Sequence, residues 1–271
     1  MSEPTIYLLI AGLMGGFFAG FLGIGGGIIF ITILPILLPA MGVPHSEVVE
    51  FTIANSIFAT FFASAGANIT QIIKKNFYIR EVLIIGLTGS VVGLVVLQLL
   101  VYSSWYTPQM FGWVVIVLLF FIMFNTLRVA KKNQSFHDQG DSNPPWLFAS
   151  GTLAGVVAAI SGLGGGIVVI PILNSVLKMN IKKAQSISLG VIFISSLALS
   201  LKNMAASTTF QMEYSLGFIL FPVLLPLVIG VLLASPIGVL AARRVPAYIL
   251  SYIFAIFVFL LIGVKFFELY G

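Results

Sequence analysis

Runs of apolar residues, broken by short polar turns, divide the chain into two sets of five segments. The first set covers 6–23, 28–40, 47–73, 80–101 and 110–130; the second covers 146–162, 167–178, 184–207, 215–242 and 247–269. About six of them reach the roughly 20 residues that a helix needs to cross a hydrocarbon layer about 30 Å thick. The segments 28–40 and 167–178 do not: at about 1.5 Å per residue they reach only about 18–20 Å. Each follows a glycine cluster, so each is expected to be the returning arm of a helical hairpin whose tip lies at depth. Between the sets, Lys131–Pro145 is the one sustained polar stretch. The chain therefore divides into a first repeat (1–130), a polar cytoplasmic linker (131–145) and a second repeat (146–271).

The glycine clusters show that the second set copies the first. Gly23-Ile-Gly25-Gly26-Gly27 returns as Gly162-Leu-Gly164-Gly165-Gly166, and reading 12–34 against 151–173 without gaps gives 11 identities in 23 positions. Duplication inside an apolar chain is a mark of transporters, which commonly place the substrate where the two copies meet.

Composition narrows the class. The chain is 59% hydrophobic and 8% charged, with a mean hydropathy of +1.14, whereas a soluble domain carries about 25% charged residues. It reads as an integral membrane protein. Without cysteine it has no disulfide, thiol nucleophile or thiolate metal site. The opening Met-Ser-Glu-Pro-Thr lacks the basic region of a secretory signal, so the first apolar segment is expected to be retained. The net charge of +5 is explained by cytoplasmic loops and calls for no nucleic acid. Eleven of the thirteen basic residues, among them Lys74, Lys75, Lys182, Lys183 and Arg243, fall in loops that strict alternation puts on one side. That side is cytoplasmic by the positive-inside rule. Both termini then lie outside, and the two five-segment halves are inverted, with their glycine tips approaching each other near the midplane.

Helix starts at Ile28 and Ile167 would expose unpaired N–H groups and a positive dipole end, and glycine lets a ligand approach closely. Two such ends converging at Gly25, Gly26, Gly27 and Gly164, Gly165, Gly166 form an anion site. The competing account is close helix packing, which suits Gly16-xxx-Gly20 and Gly89-xxx-Gly93 better than the paired tips. Lys202 lies within the eighth segment, where a cation either faces a cavity or snorkels to the interface; Lys265, near the end of the tenth, reads as a snorkelling anchor. Asn68 and Asn203 stand as near-equivalents in the duplication, as do Thr52 and Ser188. These four, with Asn55 and Lys202, complete the candidate substrate-binding set. Pro222, Pro226 and Pro236 interrupt the ninth segment as a hinge or a kink. Nucleotide motifs fail, since isoleucine rather than Lys-Ser/Thr follows each cluster. No carboxylate sits mid-span, Glu50 being nearest, so a proton relay, a cation cage and a resident metal or cofactor are poorly supported.

The duplicated glycine core resembles the TauE/SafE family of sulfite and organosulfonate exporters, in the toluene sulfonate uptake permease group. The similarity spans nearly the whole chain. Pro35 and Pro171 match prolines that members carry after the glycines, and Ala184-Gln-Ser-Ile-Ser-Leu189 stands where they commonly show Ala-x-Gly-Thr-Ser-Leu. The first half holds a blurred equivalent around Val49–Asn55. The resemblance implies an exporter of small sulfur anions, sulfite or organosulfonates such as sulfoacetate, in the bacterial cytoplasmic membrane, with the site between the repeats. The expectation is thus an all-α membrane transporter working by alternating access, in contact with lipid and its anion, with a homodimer left open. An anion channel, a transporter of another small anion, a membrane enzyme and a cation transporter are the alternatives, the last two disfavoured by the missing mid-span acids and histidines.

Overall fold

The computed structural model describes residues 3–103, 105–131, 143–210 and 212–270. Most of the expected linker, 132–142 with Asp138 and Asp141, lies outside the described residues.

Helices follow the ten apolar segments in order. They are α1 (Glu3–Leu22), α2 (Gly27–Ala40), α3 (Val48–Ile73), α4 (Ile79–Val96), α5 (Pro108–Lys131), α6 (Pro144–Ser161), α7 (Gly166–Pro171), α8 (Ile181–Met204), α9 (Phe221–Arg244) and α10 (Ala247–Tyr270). Among the described residues, seven helices (α1, α3, α4, α5, α6, α8 and α9) are long and apolar enough to cross a membrane, while α2 and the part of α10 over Val258–Phe267 are shorter apolar helices. The chain is an all-α integral membrane protein.

Local chemistry explains where boundaries depart from the apolar runs. The run 167–178 is not one helix: α7 stops at Pro171 and a π turn, Ile172–Val176, follows. Proline removes a ladder donor and crowds the preceding turn, and a wider turn accommodates it. In the run 215–242, Ser215–Leu216 (β1) and Ile219–Leu220 (β2) first pair as a short antiparallel hairpin. Helix α9 begins at Phe221, with Pro222 in its first turn, where no donor is needed. Pro226 and Pro236 then lie inside α9, which runs through them without a break.

Helices α3 and α8 pack against each other and are the most deeply buried of the spans. Around them α1 lies along α9, α6 along α4 and α5 against α10. Glycine permits the closest of these contacts. A Cβ at Gly16 would stand 2.6 Å from Val231 Cα, and one at Gly89 would stand 3.0 Å from the Gly151 carbonyl oxygen. The small-residue pairs in α1 and α4 are thus packing devices. Lys265 is not an exposed anchor: it is fully buried on α10, with Nζ 5.1 Å from the Phe111 ring centre on α5.

One end of the α3–α8 pair, where α3 begins and α8 ends, is closed by the segment 205–220. Asn55 donates to the carbonyls of Phe51 and Phe218 and accepts from Leu220 N–H. The Phe218 ring packs against Phe51 and Tyr102. Glu47, just before α3, accepts from Thr208 Oγ1 (2.7 Å), Thr209 N (3.0 Å), Thr209 Oγ1 and Phe210 N (3.3 Å). Burial acts to raise its carboxyl, but the hydrogen bonds from Thr209, Thr208 and Phe210 outweigh that and hold it below its ordinary 4.5. A depressed carboxylate stabilises the fold above its unfolded value, and that contribution is lost as pH falls through the folded one. Glu47→Gln is therefore expected to speed amide hydrogen exchange across 205–220 at neutral pH. The wild type should match it only once acid has protonated the carboxylate, at a pH below its ordinary 4.5, and equal exchange at pH 7 would refute the clasp.

Candidate functional site

The two glycine loops touch. Gly23 and Gly162 end α1 and α6 at φ 72° and 74°, and Gly25, Gly164 and Gly165 stay left-handed, a region closed to most side chains. A Cβ on Gly27 would lie 2.8 Å from the Gly162 carbonyl oxygen, and one on Gly166 would lie 3.1 Å from that of Gly23. Each loop is held by a serine of a central helix. Ser56 Oγ on α3 donates to Gly162 O at 2.8 Å, and Ser188 Oγ on α8 donates to Gly23 O at 2.7 Å.

These contacts set the correspondence between the halves. Ser56 and Ser188 stand 188 − 56 = 132 positions apart, and the same shift relates Phe61 to Phe193, whose rings stack on each other at 5.0 Å. It also relates Thr60 to Ile192, which both meet the tips: the Thr60 methyl is 3.0 Å from a Cβ on Gly25 and 2.9 Å from one on Gly164. The partner of Ser188 is thus Ser56 rather than Thr52, and Asn68 corresponds to Ser200 rather than to Asn203.

Little room is left at the tips. A cavity of about 10 Å³ beside Gly25, Gly26 and Ile28 has space for about one water. The large opening lies where α3 ends and α8 begins. This cavity, about 510 Å³, is lined by Lys74, Lys75, Lys182, Lys183 and Arg243, together with Gln71, Asn76, Asn180 and Gln185, and among the described residues its lining holds no carboxylate. Gln185 leads back to the tips, since its Cα lies 2.9 Å from a Cβ on Gly23.

Polar contacts fix this mouth. Gln71 Oε1 accepts from Asn76 Nδ2 (3.2 Å) and Arg243 Nη2 (3.4 Å), and Asn76 Oδ1 accepts from the Tyr78 hydroxyl (3.0 Å). Lys183 Nζ sits 5.0 Å from the Tyr78 ring centre. Lys74, Lys75 and Arg243 stand at the C-terminal ends of α3 and α9, where the helix dipole favours cations. Lys182 and Lys183 do not: they occupy the first turn of α8, the end that favours anions. Two cations set against that field concentrate positive potential on the cavity.

The sequence-derived candidates separate into groups. The six tip glycines and Ser188 come together, Ser188 Oγ also reaching Gly166 O at 3.4 Å. Asn68 lies toward the cavity, with Nδ2 donating to Leu189 O at 2.9 Å and Oδ1 without a partner among the described residues. Thr52 is buried on α3, and its Oγ1 likewise lacks a partner. Asn55 is engaged in the far-end closure, as is Asn203, which accepts from the Tyr102 hydroxyl at 2.8 Å. Lys202 is half-buried in the last turn of α8, away from the tips. Ser56, Thr60 and the cationic lining were not singled out from sequence, although Thr60 lies one turn from Ser56 on α3.

The family model for the sulfite exporter TauE/SafE matches residues 8–266. The chain belongs to this family. A probable membrane transporter protein of Methanocaldococcus jannaschii is 27% identical over 244 residues, covering 88% of this chain and 86% of its own. One of Haemophilus influenzae is 25% identical over 264 residues, covering 95% and 96%. No solved structure matches. This TauE/SafE member is a multi-pass membrane transporter, and the cationic cavity beside its glycine loops is the candidate entrance for what it carries.

Proposed function

We propose that this protein exports small sulfur-containing anions, sulfite or an organosulfonate such as sulfoacetate, across a bacterial cytoplasmic membrane by alternating access between two inverted halves. The observation that carries the reading is the cavity of about 510 Å³, which among the described residues has five cationic side chains and no carboxylate in its lining. Its basic residues support a cytoplasmic mouth by the positive-inside rule, and with it an outside position for both termini. The far end is closed by the Glu47 clasp and the ring of Phe218. Such an arrangement fits a state open to the cytoplasm and sealed outward. An interior-negative potential drives anions outward by about 2.3 kcal/mol per charge per 100 mV, so export needs no buried carboxylate relay.

Efflux from proteoliposomes at imposed potentials tests the reading, with sulfite and sulfoacetate as substrates and sulfate and chloride as competitors. Saturable, potential-driven efflux with counterflow supports it. Flux that neither saturates nor shows counterflow indicates a channel, and absence of sulfur-anion flux in folded protein moves the substrate to another anion.

A further inference from the structure

Beyond the cavity, the polar side chains form a continuous line that neither the glycine loops nor the family assignment accounts for. On α3, Thr52, Ser56, Thr60, Ser64, Asn68 and Gln71 follow one another at helical spacings of four and three, a single ridge along the helix. Each is at most 6% exposed. Across the contact, α8 carries Ser188, Ser196, Ser200 and Asn203, also buried. Two facing polar ridges are unusual where the surroundings are apolar.

Hydrogen bonding separates packing serines from the rest. A buried hydroxyl in a membrane helix ordinarily donates to its own preceding turn. Ser64 and Ser196 do so, to Phe61 O and Ile192 O. Thr60 Oγ1, Asn68 Oδ1 and Ser235 Oγ have no partner among the described residues, although Thr60 and Ser235 are wholly buried and Asn68 is 6% exposed. Leaving such groups bare in an apolar interior is costly.

Their order along the molecule is informative. Gln71 and Val239 line the cavity. Just beneath, Val239 packs with Ala67 and Leu189 in a small apolar cluster, beside which Asn68 binds Leu189 O. One turn further along α9, Ser235 Oγ meets Gly66, where a Cβ would overlap it. Deeper still, Thr60 touches both glycine loops.

We propose that the seam where α3 meets α8 and α9 is the solute path, with Asn68, Ser235 and Thr60 as successive polar stations between the cationic cavity and the glycine loops. The Ala67–Leu189–Val239 cluster is the constriction that separates the cavity from them. The hydroxyls of Ser235 and Thr60 donate to an oxyanion, and Asn68 Oδ1 accepts from its water shell or from a protonated oxygen. The solute class is a small hydrated oxyanion. The path itself rests on the transporter assignment, and the proposed anion specificity enters only through the solute's charge.

The chain contains no cysteine, so a single introduced thiol reports alone. Asn68→Cys, Ser235→Cys and Thr60→Cys would be treated in inside-out membranes with sulfonatoethyl methanethiosulfonate and with its trimethylammonium counterpart. Reaction is read as a mass shift, which requires no transport. Ser90→Cys and Ser150→Cys, buried on α4 and α6 and bonded to their own helices, serve as controls off the seam. The expected result is reaction at 68 and 235, at least about tenfold faster with the anionic reagent once each rate is divided by that reagent's rate with a free thiol in solution, slowed by sulfoacetate, with both controls inert. Thr60→Cys, close to isosteric, should react only while transport is turning over. Thiols at 68 and 235 as inert as the controls, in folded protein, would overturn the path. Equal rates with both reagents, so normalised, would leave the path standing and remove the anion specificity.

Discussion

Replacing Lys182 and Lys183 together by glutamine is expected to raise the KM for the exported anion about tenfold, a loss of about 1.4 kcal/mol in apparent affinity, while lowering the maximal rate less. The two lysines line the cavity from the first turn of α8. Their charge opposes the helix dipole there, so the dipole does not account for the pair, although Lys183 also rests over the Tyr78 ring. Fold stability should hold or rise slightly, because the substitution removes that opposition. The contribution is long-range and screened, so the gap between variant and wild type should narrow as salt shortens the Debye length from about 10 Å at 0.1 M to about 3 Å at 1 M. Arg80→Gln, on an exposed residue of α4 outside the cavity lining, should leave KM within about twofold. KM values measured in proteoliposomes at two salt concentrations decide it. An unchanged KM in the double variant would return these lysines to a purely topological role.

That role was the natural reading of the sequence, which is why the cavity was not legible there. Lysines after one apolar segment and before another satisfy the positive-inside rule whether or not they share a space. What unites Lys74 with Lys183 is the antiparallel packing of α3 on α8, with 108 residues between them. The segments themselves were legible because apolar runs and polar turns are dictated by the hydrocarbon layer. The glycine loops were legible because a left-handed backbone leaves glycine few substitutes.

The pairing of the halves was only partly so. Matching side-chain types put Asn68 with Asn203 and Thr52 with Ser188, whereas the hydrogen bonds put Ser56 with Ser188. The cause lies in the connections. From Gly27 to Ser56 the chain uses seven more residues than from Gly166 to Ser188, about two helical turns. The first half takes them up in a longer α2 and a longer loop, the second in the shortened α7 with its π turn. The glycine shift of 139 therefore fails beyond them, and pairs chosen by side-chain type, at 135 and 136, miss the observed 132 by three and four residues. The unpartnered atoms of Thr60, Asn68 and Ser235 were hidden for another reason. Hydroxyl and amide groups in a span bond to their own helix or to a neighbour as readily as to a ligand, and only coordinates tell which.

Gly164→Ala is expected to destabilise the protein by about 2–5 kcal/mol, and Thr60→Ser is expected to recover part of that loss. Two terms make up the cost. Alanine at φ 78° pays about 1–2 kcal/mol for the left-handed region, which no neighbour can relieve. Its Cβ would also meet the Thr60 methyl at 2.9 Å and Ile192 Cγ2 at 3.1 Å, an overlap of the kind that costs about 1–3 kcal/mol when a packed core cannot move. Serine at 60 deletes that methyl and keeps the hydroxyl, so the second term shrinks while the first stays. The same serine should also partly rescue Gly25→Ala, because a Cβ there meets the same methyl at 3.0 Å. Gly25 and Gly164 belong to different halves of the chain, and Thr60 stands against both. Thermal unfolding in detergent of the two alanine variants, each with and without Thr60→Ser, forms two double-mutant cycles. A coupling of about 1 kcal/mol in each would establish that one side chain of α3 closes over both glycine loops. Additive behaviour in both cycles would show that the loops are held apart from Thr60, and the last step of the proposed path would then have no wall.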